Sequence, residues 1–437
     1  MKRLVPALVL LASACTATTA PTTTEPMATT TASSTTSVPA STTSTAPMVP
    51  LGIESLPASL QADVIQLVSD VQRLRGLDFL EAPRVTVLSG EELADRVRAD
   101  FEEETENIDA DQALYLLLGL LPPGTDLLAL YVELFGEQVA GFYDGDTKEL
   151  VVPAGSDSFS PLQRGTLIHE LTHALTDQHH DLWQVRKSML DEQRFDEAVA
   201  YLSVVEGDAT LVQILYLQEM TPADQQSFFA EGFDVDTAIF DAAPVFIQRS
   251  FLFPYQEGFA FVQRLFDLGE FTAVDTAYDR WPVSTEQILT PRDYLRDEPL
   301  TIAGTELDLA GHELVYDSDW GELGFLLMFE QVLGEAPANV AADGWGGDRF
   351  RMWFDGVNAV MVIEYVGDTE TDAAELADAL VAYAVTGMAV GAPSQSGDAV
   401  VLSGSDYAYV ARSGADVVFV AASDPAIGSA ITADLGG

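Results

Sequence analysis

His169-Glu170-Leu171-Thr172-His173 is the stretch from which the rest of the chain is read. A helix turns by about 100° per residue, so these histidines share one face about 6 Å apart, where both ring nitrogens can reach one zinc ion at about 2 Å. Glu170 falls on the flank of that face. A carboxylate there can take a proton from an activated water and later return it to a leaving amine. The surroundings read as a helix that opens near Pro161, turns Leu167, Ile168, Leu171, Ala174 and Leu175 inward, and ends in polar Asp177 to His180. His179 and His180 suit the C-terminal dipole of that helix, since adjacent residues cannot both face one metal. The whole chain has five histidines, so this pairing is informative and points to a zinc metallopeptidase.

A catalytic zinc site normally takes three protein ligands and a water, which calls for one more ligand. Residues 197–216 read as a second helix, apolar for most of its length and therefore largely buried. A carboxylate on such a helix is unfavourable unless paired or metal-bound, and Glu206 is the first candidate. Asp208 and Glu197 stay open as alternatives. Glu206 and Asp208 stand about 200° apart on a helix, so they cannot both bind the same ion. Asp208, Asp177 and Thr210 are candidates to orient a ligand from behind.

At these residues the chain resembles the zincin metallopeptidases, and the downstream glutamate makes it similar to their gluzincin branch. The resemblance extends along His169 to Leu182, along Val205-Glu-Gly-Asp-Ala-Thr210, and along Pro282-Val-Ser-Thr-Glu-Gln-Ile-Leu-Thr-Pro291. Those stretches resemble a group of secreted bacterial and archaeal predicted zinc proteases, over roughly residues 65 to 365. The resemblance implies a zinc-dependent endopeptidase with His169, His173 and Glu206 as ligands and Glu170 as base. It implies no particular substrate. The separation of His173 from Glu206 is longer than in thermolysin-like members.

The fold class expected is α+β: a mainly helical zincin-like region with a small sheet beside the active helix, then a small C-terminal α+β module. Residues 137–152 read as a hairpin turning at Asp144-Gly145. In zincins such a strand offers its edge to the substrate, and an extended peptide can add to it through main-chain hydrogen bonds. Tyr143 and Tyr255 are candidate donors to the oxyanion of the tetrahedral intermediate, and His312 is a further one.

The N-terminus carries a basic start, an apolar run from Leu4 to Leu11, then Ala12-Ser-Ala-Cys15, the pattern of an export signal. Cys15, the sole cysteine, sits as in a bacterial lipobox, with Ala12 where that motif prefers leucine. The expectation is a lipid anchor at Cys15 on the outer face of a membrane, with plain secretion as the alternative. One cysteine allows no internal disulfide. Residues 16–50 are Thr, Ser, Ala and Pro almost throughout, a composition suited to a disordered tether. The remaining divisions are an N-terminal helical lobe at 51–138 with one strand at Arg84 to Leu88, a zincin-like catalytic region at 139–357, and the α+β module at 358–437. Ala342 to Arg349 reads as a glycine-rich loop without the lysine-hydroxyl ending of a phosphate cradle.

With 69 acidic and 20 basic residues the formal charge is −49, which argues against nucleic acid and anionic membrane surfaces as partners. Two function classes follow. One is a cell-surface zinc metalloendopeptidase acting on peptides or proteins; the other is a non-catalytic surface lipoprotein that binds a partner and keeps zinc as a structural clamp. An intact Glu170 favours the first, because a purely structural site needs no base beside an open metal position.

Overall fold

The computed structural model describes residues 47–89, 92, 95–96, 107–136, 141–153, 158–235 and 237–435. The export signal, Cys15, the tether up to residue 46 and the first residues of the expected hairpin, 137–140, lie outside the described residues.

The helix carrying the histidines runs Pro161–His180. Ser160 starts it with a reciprocal capping box to Gln163, and Pro161 occupies the first turn, where its missing N–H is no loss. Residues 165–177 are all buried, so this is a central helix rather than a surface helix with one apolar stripe. Val64, Val68 and Val71 of helix Ala58–Arg75 pack with its Leu167, Ile168, Leu171 and Leu175. The second expected helix runs Phe195–Glu219 and crosses beside it. That helix is long and apolar enough to span a membrane, but 72% of its apolar window is buried, as in the core helix of a folded domain.

Helix Phe195–Glu219 packs most closely against helix Val245–Asp279. Their crossing depends on two glycines. A Cβ on Gly207 would collide with the carbonyl of Gly258, and one on Gly258 with the carbonyl of Ser203. Helix Val245–Asp279 is interrupted near its last third, where Glu270 takes φ 54° and ψ −153°.

Two sheets complete the fold, so the class is α+β. The smaller joins β1 (Arg84–Leu88), β2 (Phe142–Asp144) and β3 (Glu149–Pro153) in the order β1-β3-β2, with β1 parallel and β2 antiparallel to β3. Hence β2 is an edge, and it lies against helix Pro161–His180. The hairpin turn differs from the expected Asp144-Gly145 pair. Asp144 ends β2, and its carboxylate accepts the N–H groups of Asp146 and Thr147 at 2.9 and 3.0 Å, which folds residues 145–148 into a longer turn closed by Lys148 at φ 56°.

The larger sheet is antiparallel, with β4 (Glu313–Ser318), β5 (Trp345–Phe354), β6 (Ala359–Gly367), β7 (Ser394–Ser396), β8 (Ala399–Ser403), β9 (Tyr407–Ser413) and β10 (Asp416–Ala422) in the order β4-β5-β6-β10-β9-β8-β7. Alternation along β6 sorts its faces. Met361, Ile363 and Tyr365 join the main core with Leu376 and Leu380 of helix Glu370–Gly387, while Val360 and Val362 pack with Ile431 of helix Pro425–Asp434. Residues 358–437, expected as an α+β module, hold β6 to β10 with helices Glu370–Gly387 and Pro425–Asp434. The glycine-rich stretch is not a loop throughout: Trp345 to Arg349 open β5, with a bulge between Trp345 and Gly347 that takes the backbone of Gly347 to φ 150°. Because β5 pairs with β6 along its whole length, the sheet runs across residue 357/358 and its first strand begins at Glu313.

Candidate metal centre

Helical spacing and the crossing of the two helices bring three side chains to one point. His169 Nε2 lies 3.1 Å from Glu206 Oε2, His173 Nε2 3.3 Å from the same oxygen, and the two ring nitrogens are 3.1 Å apart. A tetrahedral ion with legs of about 2 Å has edges of about 3.3 Å, so these atoms span one face of such a site. All three residues are buried. Three electron-pair donors converging in a dry interior are unfavourable without something to share, and a metal ion fits that donor set. Burial pushes the Glu206 carboxyl upward, but His173 and His169 outweigh it and hold the group down at about 2.

The alternatives for the third ligand are engaged elsewhere. Asp208 is fully buried and faces Arg75, whose Nε lies 2.9 Å from its carboxylate, and it also accepts the Tyr278 hydroxyl at 2.9 Å. Glu197 pairs with Arg194 and accepts the Trp281 indole N–H at 2.7 Å. Of the residues expected to orient a ligand, Asp177 holds the Tyr143 hydroxyl at 2.7 Å and Lys148 at 3.3 Å, leaving His173 Nδ1 without a partner. Thr210 is half-buried and makes no side-chain hydrogen bond among the described residues.

Glu170 is held by the edge strand. The N–H of Tyr143 donates to Glu170 Oε2 at 2.8 Å, while Oε1 is buried and without a partner. Burial raises the Glu170 carboxyl to about 7, with Glu206 adding and His169 and the Tyr143 N–H opposing. The expectation that the Tyr143 side chain faces the reacting group is not met, because its hydroxyl points to Asp177; its contribution is the backbone. Tyr255 does reach the centre. Its ring stacks over His169 at 6.1 Å, and its hydroxyl is buried without a hydrogen-bond partner among the described residues. Burial, then Glu206 and Glu170, raise it well above the usual phenol range, so it stays protonated. Arg186, buried on helix Leu182–Asp191, opposes that shift and was not signalled by any motif.

The other histidines are elsewhere. His179 Nε2 lies 2.9 Å from the Asp78 carbonyl, His180 stacks on Tyr278 at 4.4 Å, and His312 Nε2 is 3.4 Å from Asp355 beside the large sheet.

A family model described as a domain of unknown function, DUF8575, matches residues 312–432. The match covers the larger sheet and its helices, not the helices that carry the histidines and Glu206. No curated protein and no solved structure matches the chain.

Proposed function

We propose that this protein is a zinc-dependent metalloendopeptidase of zincin type, with His169, His173 and Glu206 holding the ion and Glu170 as general base. The observation that carries the reading is the convergence of those three side chains within 3.3 Å beside a carboxylate fixed by the neighbouring edge strand. When bound, zinc supplies Lewis acidity that makes water nucleophilic near neutral pH and polarises the scissile carbonyl.

The protein's own groups divide the remaining work. Because the N–H of Tyr143 turns away from β3 toward Glu170, the carbonyl of Tyr143 lies on the same strand edge, which no other strand pairs with among the described residues, and an extended peptide is proposed to pair there. Glu170 is anchored through Oε2, so Oε1 is the oxygen that takes the proton from the attacking water and passes it to the leaving amine. The Tyr255 hydroxyl, protonated and unpartnered, donates to the oxyanion. The proposed setting is the outer face of a bacterial membrane, reached through a lipid on Cys15, as the N-terminal pattern supports.

The test is Glu170→Gln in zinc-loaded protein, assayed on a quenched-fluorescence peptide library. Hydrolysis should fall by about 10²-fold or more with zinc content unchanged. Equal hydrolysis in the variant would refute Glu170 as base; absence of any hydrolysis in the zinc-loaded wild type would favour the partner-binding lipoprotein.

A further inference from the structure

A second group of carboxylates lies apart from the histidine centre, where the Pro282–Pro291 loop meets the larger sheet. Glu286 starts the short helix Glu286–Leu289, Asp297 lies in the turn after it, and Asp368 follows β6. One carboxylate oxygen from each lies within 4.8 Å of the other two. Glu322, in the first turn of helix Gly321–Leu333, lies outside that three-oxygen group but is near enough for Glu286 and Asp368 to oppose its ionisation. It is 7% exposed and makes no side-chain hydrogen bond or ion pair among the described residues; the same holds for Glu286, also 7% exposed.

These four do not resemble an ordinary solvated acidic surface. Burial raises Glu286 to about 8 and Glu322 to about 9, and the charges that add to it are all carboxylates: Asp368, Asp297, Asp293 and Asp343 around Glu286, and Glu286, Asp343, Asp196 and Asp368 around Glu322. Glu286, 7% exposed and without a side-chain partner among the described residues, thus forms the floor of the three-oxygen group, while Asp297 and Asp368 are exposed at the mouth. Oxygens on opposite sides of one calcium ion, at legs of about 2.4 Å, are at most about 4.8 Å apart. The donors are oxygen only, which disfavours zinc, and they come from separate segments, which suits the adaptable coordination of calcium better than the strict octahedron of magnesium.

We propose that Glu286, Asp297 and Asp368 bind one calcium ion, which clamps the larger sheet to the loop that seats the glutamate-bearing helix. The seat is direct: Thr285, next to Glu286, donates its N–H at 2.8 Å and its hydroxyl to Asp196 in the first turn of helix Phe195–Glu219.

The experiment is equilibrium dialysis of full-length, zinc-loaded protein against radioactive calcium in 150 mM KCl (an ionic strength of about 0.15 M, to screen the acidic surface), with melting curves and zinc counted in the same samples. Glu286→Gln and Asp368→Asn are compared with Glu335→Gln and Asp378→Asn, two exposed carboxylates away from the cluster. Wild type and the exposed-site variants should bind one calcium per chain with a saturable rise in Tm, while the two cluster variants bind at least about 10-fold more weakly and keep their zinc. Burial already favours the neutral form of Glu286, which Glu286→Gln mimics, so without calcium that variant should melt no lower than wild type, which separates lost binding from lost folding. No saturable calcium in wild type, equal weakening in all four variants, or calcium bound only as zinc leaves would overturn the proposal.

Discussion

Glu206 and Glu322 are both dry glutamates on helices, and their surroundings drive them in opposite directions. Glu206 stands between two imidazoles and is held at about 2; Glu322 faces Glu286, Asp343, Asp196 and Asp368 and is pushed to about 9. Burial opposes ionisation in both, so the neighbours decide the sign. Asp208, 0% exposed, shows another solution, a guanidinium at 2.9 Å. The companions proposed for the two glutamate regions differ accordingly: zinc beside the two imidazoles at Glu206, and calcium at the carboxylate group near Glu322.

The sharpest way to break that comparison is to remove the histidine side of it. His173→Ala and Glu206→Ala should each lower zinc per chain from about one to none, read by elemental mass spectrometry, and bring hydrolysis to background. Zinc retained in Glu206→Ala would show that this carboxylate is not a ligand. Next in size, Arg75→Ala turns Asp208 into a buried charge without its ion partner; denaturant unfolding should show a loss of about 3–5 kcal/mol. A loss below about 1 kcal/mol would mean that solvent or Tyr278 replaces the guanidinium. Gly207→Ala should cost about 1–3 kcal/mol by forcing two backbones apart beside Glu206, and zinc should dissociate faster.

The smallest expected effect sharpens the other side. Asp348 is raised from 3.8 to about 7, by burial first and then Asp319, against hydrogen bonds from Trp320, Trp345 and Gly321. A carboxyl whose folded pKa lies above its unfolded value contributes stability that is full below about 3.8 and is lost as pH rises through about 7. Calcium-free Tm should therefore fall from pH 5 to pH 8, and Asp348→Asn should flatten the slope while lowering Tm at pH 5. An unchanged slope would remove Asp348 as its source.

What the sequence made legible was local. Two histidines four apart and an isolated carboxylate in an apolar helix declare themselves within one turn or one element, and so does a short continuous apolar run such as Val360–Ile363. What it hid was pairing across long separations. Arg75 meets Asp208 from 133 residues away, and Glu170 is fixed by a backbone N–H that no residue type signals. The opening of β5 was hidden for another reason: its glycines serve a bulge within a strand, and a glycine-rich run looks alike in either role. Only the fold shows that the Pro282–Pro291 stretch seats one helix and supplies Glu286 to a separate cluster.

The placement of Arg75 also bears on how the protein comes to be active. Many secreted peptidases are made as zymogens and released by excision of a leading segment. Here the leading segment supplies Arg75 to Asp208, two residues past Glu206, and supplies β1 as the parallel partner of β3. Excising it would strand a charge two residues from Glu206 and strip β1 from the sheet whose edge strand holds Glu170. On the proposed peptidase reading, removal of residues 51–89 would cost the Arg75–Asp208 pair and the β1–β3 pairing, so latency would rest on access to the β2 edge or on the supply of metal.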